Sequence, residues 1–180
     1  MNSYVKKVDN FKVDIERFRI ETAKFLQQHP LHKEKNQVCL THRENSLDPY
    51  YEATGALYDF DQKVFYFKEG DMRIFHEAWR SSYLYDVYIQ LREIIPYPIF
   101  RLRFMKLMPI SCLSLHHDPT MRLHIPIETN ENCLFIFKNQ IPVHLPADGS
   151  AYIVDTRQIH TVLNGDRKAS RLHFVAAVQK

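Results

Sequence analysis

Residues 121–129 read MRLHIPIET and residues 170–178 read SRLHFVAAV. Side chains alternate faces along a strand. If both stretches are extended, Arg122 and His124 share one face of the first, and Leu123, Ile125 and Ile127 share the other. In the second, Arg171 and His173 share a face while Leu172 and Phe174 point oppositely. Each strand is therefore apolar on one side and basic on the other. The apolar side is a seat for helices; the polar side lines an interior pocket. Two strands aiming Arg and His at one place say more than a lone polar residue does.

Short β-forming runs fill the whole second half. FRLRFMKLM, SCLSLHH, CLFIFK, IPVHL, SAYIVDT and HTVLN lie between residues 100 and 164. With the two opening stretches they make eight runs at close spacing, which points to a sandwich or barrel and away from a βαβ fold. Gly149 and Asn164-Gly165 supply turns between them. The first half reads mainly as helix. Phe11, Ile15, Phe18, Thr22 and Phe25 recur at steps of four and three as one apolar stripe, with Asp9 or Asn10 as the expected cap and Pro30 as the stop. Residues 51–68, rich in Tyr and Phe, are expected to hold short strands. Asp71 is the expected cap of a second helical stretch carrying Phe75, Trp79, Leu84, Val87 and Leu91. That stretch is broken at Arg80-Ser81-Ser82 and ended by Pro96 and Pro98.

One domain is the natural reading of 180 residues, with residues 1–98 as mainly helical cover with short strands and residues 99–180 as the β core. The hydrophobic fraction of 45% and charged fraction of 25% are those of an ordinary globular protein. A net charge of +3 with no long basic run argues against a nucleic-acid partner. No apolar run approaches the roughly 18 residues of a membrane span, so no membrane partner is expected. Cys39, Cys112 and Cys133 form no CxxC spacing, and a reducing, cytoplasmic setting follows.

The chemistry concentrates in His116-His117-Asp118, followed by His160 and Arg171. If residues 113–118 stay extended, His116 and Asp118 point one way and His117 the other. Two imidazoles and one carboxylate are the ligand set of the facial triad that holds non-haem Fe(II) with positions open for oxygen chemistry. The 42 residues from Asp118 to His160 let distant strands converge. An Arg eleven residues beyond His160 offers a two-pronged cation to a carboxylate near that metal. Against this stand plainer readings. A single His in a β-rich core is more often a hydrogen-bonded structural residue than a ligand. Arg171 alone reads as a solvated strand charge, Arg122 as a partner of Asp118 or Asp155, and His144 as structural. His124 and His173 read as donors behind the ligands or as pocket lining. Arg101, Arg103 and Lys106 could meet a substrate carboxylate, but a solvated strand edge is the plainer expectation. No GxSxG elbow is present, which disfavours a serine hydrolase.

The segments LHHDPTMRLHIPIETNENCLFIF, HLPADGSAYIVDTRQIHTVLN and SRLHFV resemble, in order, the aspartyl/asparaginyl β-hydroxylase family, which also contains proline hydroxylases acting on the free amino acid. The resemblance covers roughly residues 100–178. It implies a mainly β fold, a double-stranded β-helix (a cupin-like jelly roll) with the N-terminal helices packed on one sheet. It implies Fe(II) held by His116, Asp118 and His160, O2 as oxidant, and 2-oxoglutarate as cosubstrate gripped by Arg171. Arg122 and His124 match family positions that also touch the cosubstrate. Some members lack the acidic ligand; this chain keeps Asp118 and so looks like the small bacterial-type members. The implied activity is hydroxylation of an amino acid or peptidyl side chain, with succinate and CO2 as coproducts. The competing classes are a non-oxidative metal-binding jelly roll and a catalytically idle small-molecule-binding module.

Overall fold

The computed structural model describes residues 3–59 and 61–180. In chain order the elements are β1 (Val5–Lys7), α1 (Ile15–Gln28), β2 (Gln37–Cys39), β3 (Thr41–His42), β4 (Tyr58–Asp59), β5 (Val64–Phe65), β6 (Ile74–Phe75) and α2 (Tyr83–Ile94). Then follow β7 (Ile99–Leu107), β8 (Ser111–Cys112), β9 (Met121–Glu128), β10 (Cys133–Phe137), β11 (Tyr152–Val154), β12 (His160–Asn164) and β13 (Arg171–Val178). A six-stranded antiparallel sheet runs in the order β1-β11-β9-β13-β7-β2, and a three-stranded sheet in the order β10-β12-β8. Two sheets with non-sequential strand order form the expected jelly roll.

The opening stretches, β9 and β13, lie side by side at the centre of the major sheet, in register from Val178 opposite Met121 to Val175 opposite His124. Their two faces part as the alternation requires. Leu123, Ile125, Ile127, Leu172 and Phe174 join the helices in one buried cluster. The fully buried Phe18 and Phe25 of α1 meet Phe174 and Phe104 with ring centroids 5.8 and 5.4 Å apart. Burial of each such ring stabilises by about 1.5–3 kcal/mol. The other face carries Arg122, His124, Arg171 and His173 into the space between the sheets. There a smaller apolar cluster, including Phe135, Phe137, Leu145 and Val162, closes one end.

The structure corrects several local expectations. Helix α1 is capped by Asp14, not Asp9 or Asn10; its Oδ1 accepts from Glu16 N and Arg17 N, both at 3.1 Å. Phe11 packs ahead of the helix, which removes one position from the proposed stripe. Asp71 caps no helix; it ends a single 3-10 turn (Glu69–Asp71), and a second turn (Glu77–Trp79) precedes α2, whose N-cap is Ser82. The expected break at residues 80–82 is therefore where the regular helix starts. The first half is less helical than it reads, because β1 and β2 complete the two edges of the major sheet. IPVHL forms only a single bridge, Val143 to Phe135.

Candidate active site

His116 and His160 face each other across the antiparallel bridge that extends β12. His116 N donates to His160 O at 3.0 Å, and His160 N to His116 O at 2.8 Å. Asp118 is fixed by its own backbone, donating from N to Thr156 O at 2.8 Å. One ligand atom from each of His116, Asp118 and His160 lies within 4.8 Å of the others. Both imidazoles are oriented by backbone: His116 Nδ1 donates to Ser114 O at 2.6 Å, and His160 Nδ1 to Gln158 O at 2.9 Å. Protons on Nδ1 leave the Nε2 lone pairs for a metal, the arrangement by which second partners set ligand tautomers. Burial, with the nearby His116, lowers the His160 pKa despite the Gln158 bond, which keeps the ring neutral as a ligand must be. Two imidazoles and a carboxylate fit Fe(II). His117 is exposed and outside the group.

The carboxylate is braced from below. Arg122 Nη2 donates to Asp118 Oδ1 at 2.8 Å. The same guanidinium grips Glu69, at 2.7 and 2.9 Å, and Glu69 in turn takes Arg101 and, at 2.7 Å, the Thr120 hydroxyl. Burial raises the Glu69 pKa, but the guanidiniums of Arg122 and Arg101 outweigh it and hold it at about 2. Arg122 is raised above the ordinary arginine value: Asp118 and Glu69 overcome its burial. Arg122 therefore pairs with Asp118, as one reading of the sequence had it, and not with Asp155, which is taken by Arg157 at 2.7 Å. Glu69 was not singled out from sequence. It sits on a 3-10 turn in the half without motifs, and no spacing ties it to Asp118.

Arg171 stands in contrast. It is 6% exposed, has no carboxylate partner among the described residues, and leaves Nε without an acceptor. Burial pulls its pKa down to about 10. Nη2 donates to His173 Nδ1 at 3.1 Å, which puts the His173 proton on Nε2, itself unpartnered. The guanidinium lies over the Phe135 ring, 5.3 Å from its centroid. Together with Thr129, Leu145 and Val162, these residues line one end of the space between the sheets. His124 Nε2 is also buried and unpartnered, and burial, helped by Arg171 and Arg122, pushes the His124 pKa well below the ordinary value. A buried, uncompensated cation is expensive, so this end of the site is built for an anion.

Arg101 and Arg103 correct the expectation of a solvated strand edge: they are 4% and 3% exposed, because β2 covers β7. His144 is structural, its Nδ1 donating to Cys133 O at 3.1 Å. Among the described residues no helix is long and apolar enough to cross a membrane.

Solved structures share this architecture. A prolyl-4-hydroxylase from Pseudomonas putida is 9% identical, with 98% of this chain and 92% of that one covered at a TM-score of 0.52. A truncated viral collagen prolyl hydroxylase from Paramecium Bursaria Chlorella virus-1 is 13% identical, with coverages of 98% and 91% and a TM-score of 0.51. HygX from Streptomyces hygroscopicus, solved with nickel and 2-oxoglutarate bound, is 10% identical, with coverages of 99% and 83% and a TM-score of 0.50. At such identities the likeness is one of fold. No curated protein sequence matches the chain. A family model described as aspartyl/asparaginyl beta-hydroxylase matches residues 33–180, reaching well into the half that carried no recognised motif. The match spans β2 to β13 and includes the three ligand candidates, Arg122 and Arg171; the chain belongs to the aspartyl/asparaginyl β-hydroxylase family.

Proposed function

We propose that the protein is an Fe(II)- and 2-oxoglutarate-dependent dioxygenase that hydroxylates an amino acid or peptidyl side chain. The observation that carries the reading is the pairing of two features in one interior: a facial His-Asp-His group and a buried Arg171 with no carboxylate partner among the described residues. A non-oxidative metal protein has no use for the second feature.

His116, Asp118 and His160 would hold the metal, and Arg171 would take the distal carboxylate of 2-oxoglutarate in a two-pronged grip. When bound, Fe(II) with 2-oxoglutarate and O2 supplies the oxidation that turns a substrate C–H into C–OH and releases succinate and CO2. The chain's own part is positional. Arg122 steers Asp118, and the carbonyls of Ser114 and Gln158 hold the two rings. His173 Nε2 offers a second donor beside Arg171. Phe135, Leu145 and Val162 keep water from the cosubstrate end. The HygX structure with nickel and 2-oxoglutarate bound supports this cofactor pair by likeness of fold.

The test is anaerobic titration of the Fe(II)-loaded protein with 2-oxoglutarate, followed by the visible charge-transfer band. Wild type is expected to develop the band and Arg171→Ala to lose it; a wild type without a band sinks the reading. Asp118→Ala is expected to abolish substrate-coupled succinate formation, and undiminished turnover would remove Asp118 from the catalytic site.

A further inference from the structure

The two ligand histidines belong to a row of three rings. In the minor sheet Phe137 on β10 stands opposite His160 on β12, and His160 stands opposite His116 across the bridge. Directly opposite residues of antiparallel strands share a face. Phe137 therefore turns toward the same interior as the two ligands. It is 3% exposed, and its ring lies 5.6 Å from that of His160, centroid to centroid, at 30°. The two ligand rings are 4.4 Å apart. The Phe137 ring is also fixed in place. Tyr4 packs against it at 5.3 Å, and it shares a buried cluster with Leu107, Val154 and Val162.

Side chains that oxidise more readily stand away from the ligands. Cys133 is four residues along β10 from Phe137, about 13 Å at roughly 3.3 Å per residue. Met121 belongs to the cluster under the helices, on the other face of the major sheet. Cys39 and Met72 lie in a third cluster with Ala53 and Leu57. Phe135 is one row further along, opposite Val162, with its ring under the Arg171 guanidinium. An oxidant formed at the triad with no substrate beside it thus meets an aromatic ring, held against one of its own ligands, before any thiol or thioether.

We propose that Phe137 is a modification site, hydroxylated on its ring when the cosubstrate is consumed with no substrate bound. The inference rests on the function proposed above. The balance is that of the productive reaction with a ring C–H in place of the substrate's: ring C–H, 2-oxoglutarate and O2 give ring C–OH, succinate and CO2. The O–O bond and the bond between the keto carbon and its carboxylate break. One oxygen atom enters the new carboxylate of succinate and the other forms the ring C–O bond. The cosubstrate and the ring each give up an electron pair, and O2 is reduced. The displaced ring hydrogen is matched by the one on the new hydroxyl. Phe137 is altered by the event, whereas turnover of substrate leaves it intact. Placed beside His160, it takes an oxygen atom that would otherwise reach the ligands.

The test incubates the Fe(II)-loaded protein with 2-oxoglutarate in air, without substrate, and maps its peptides by mass spectrometry. The expected result is a gain of one oxygen atom, located by fragmentation at Phe137. It should carry the isotope of labelled O2 and not that of labelled water, and be absent when O2 or 2-oxoglutarate is withheld. A second measurement needs no turnover and no altered fold. Para-fluorophenylalanine is placed at residue 137 alone, or at residue 18 alone under α1, and the protein is titrated with Mn(II) under fluorine NMR. The signal at residue 137 is expected to broaden and the one at residue 18 to stay sharp; Asp118→Ala should abolish the broadening. The proposal is overturned by an unmodified Phe137 in a protein that shows the 2-oxoglutarate charge-transfer band, whether the oxygen is found elsewhere or nowhere. It is equally overturned by a gain that persists without the cosubstrate, or by a residue 137 signal as sharp as that of residue 18. Absence of the band in wild type instead removes the hydroxylase reading on which it rests.

Discussion

Replacing Glu69 by Gln isolates the charge network that holds the metal carboxylate. The side chain of Glu69 is 9% exposed and those of Arg101 and Arg122 are both 5% exposed, so the ion pairs are shielded from solvent. The carboxyl is held at about 2 against an ordinary value of 4.5. At about 1.4 kcal/mol per pKa unit this difference corresponds to about 3 kcal/mol of folding stability. Breaking a buried ion pair gives about 3–5 kcal/mol, in agreement. Gln is isosteric but turns an amide NH2 toward guanidinium donors, so packing survives and the pairing does not. Arg101 keeps the Ala53 and Gly55 carbonyls and Arg122 keeps Asp118, which holds the loss near the lower figure. The sign of the pH dependence follows. A depressed carboxyl stabilises fully above its unfolded value of 4.5, and that stability is lost as pH falls toward the folded value of about 2. Urea unfolding of wild type and Glu69→Gln at pH 7 should differ by about 3 kcal/mol, or about 1.5 M in midpoint for a slope of about 2 kcal/mol/M. The gap should narrow steadily below pH 4.5. A gap under about 1 kcal/mol at pH 7, or one unchanged on acidification, refutes the reasoning.

Phe18→Ala empties a fully buried position against Phe174 and Tyr83, and urea unfolding should report a loss of about 3–5 kcal/mol. Gly149→Ala is expected to destabilise by more than about 1 kcal/mol in the same assay, because φ is +86° and a Cβ would stand 2.4 Å from the Val13 carbonyl oxygen. Arg103→Met removes a buried charge without a counter-ion, so the ligand-free protein should melt no lower than wild type and gain up to a few kcal/mol; a clear fall in melting temperature would show Arg103 to be structural. Asp14→Ala should lose about 1 kcal/mol by urea unfolding, through its two backbone donors at the start of α1.

The faces of β9 and β13 were legible because a period of two leaves a strand no freedom: once one residue is buried, the next is committed to the other side. The same rule was applied to His116, His117 and Asp118, where the structure has only a single β-bridge at His116. It failed to describe β7. Arg101 has a φ of 52° where the register with β13 slips between Val175 and Ala177, and a bulge re-aims side chains in ways alternation does not foresee. It also missed that β2, in the half without motifs, joins the sheet beside β7 and turns an apparent edge into an interior strand. The cap of α1 was misplaced because Asp9, Asn10 and Asp14 all carry capping side chains, and only the start of the regular backbone chooses among them.

The role of the first hundred residues follows from charge. Reading them as cover assigns them only the apolar face of the sheet, where Phe18, Phe25 and Leu91 do lie. The opposite face holds four buried guanidiniums, and the second half contributes one carboxylate to them, Asp118. Glu69, which pairs two of the four, and Gln37, which is the side-chain acceptor for a third, both come from the first half. Without Glu69 and Gln37, Arg101 and Arg103 would lose their side-chain partners, and Arg122 would keep only the Asp118 carboxylate. The segment without motifs neutralises the basic interior as far as Arg101 and Arg122, and leaves Arg171 with no carboxylate partner among the described residues.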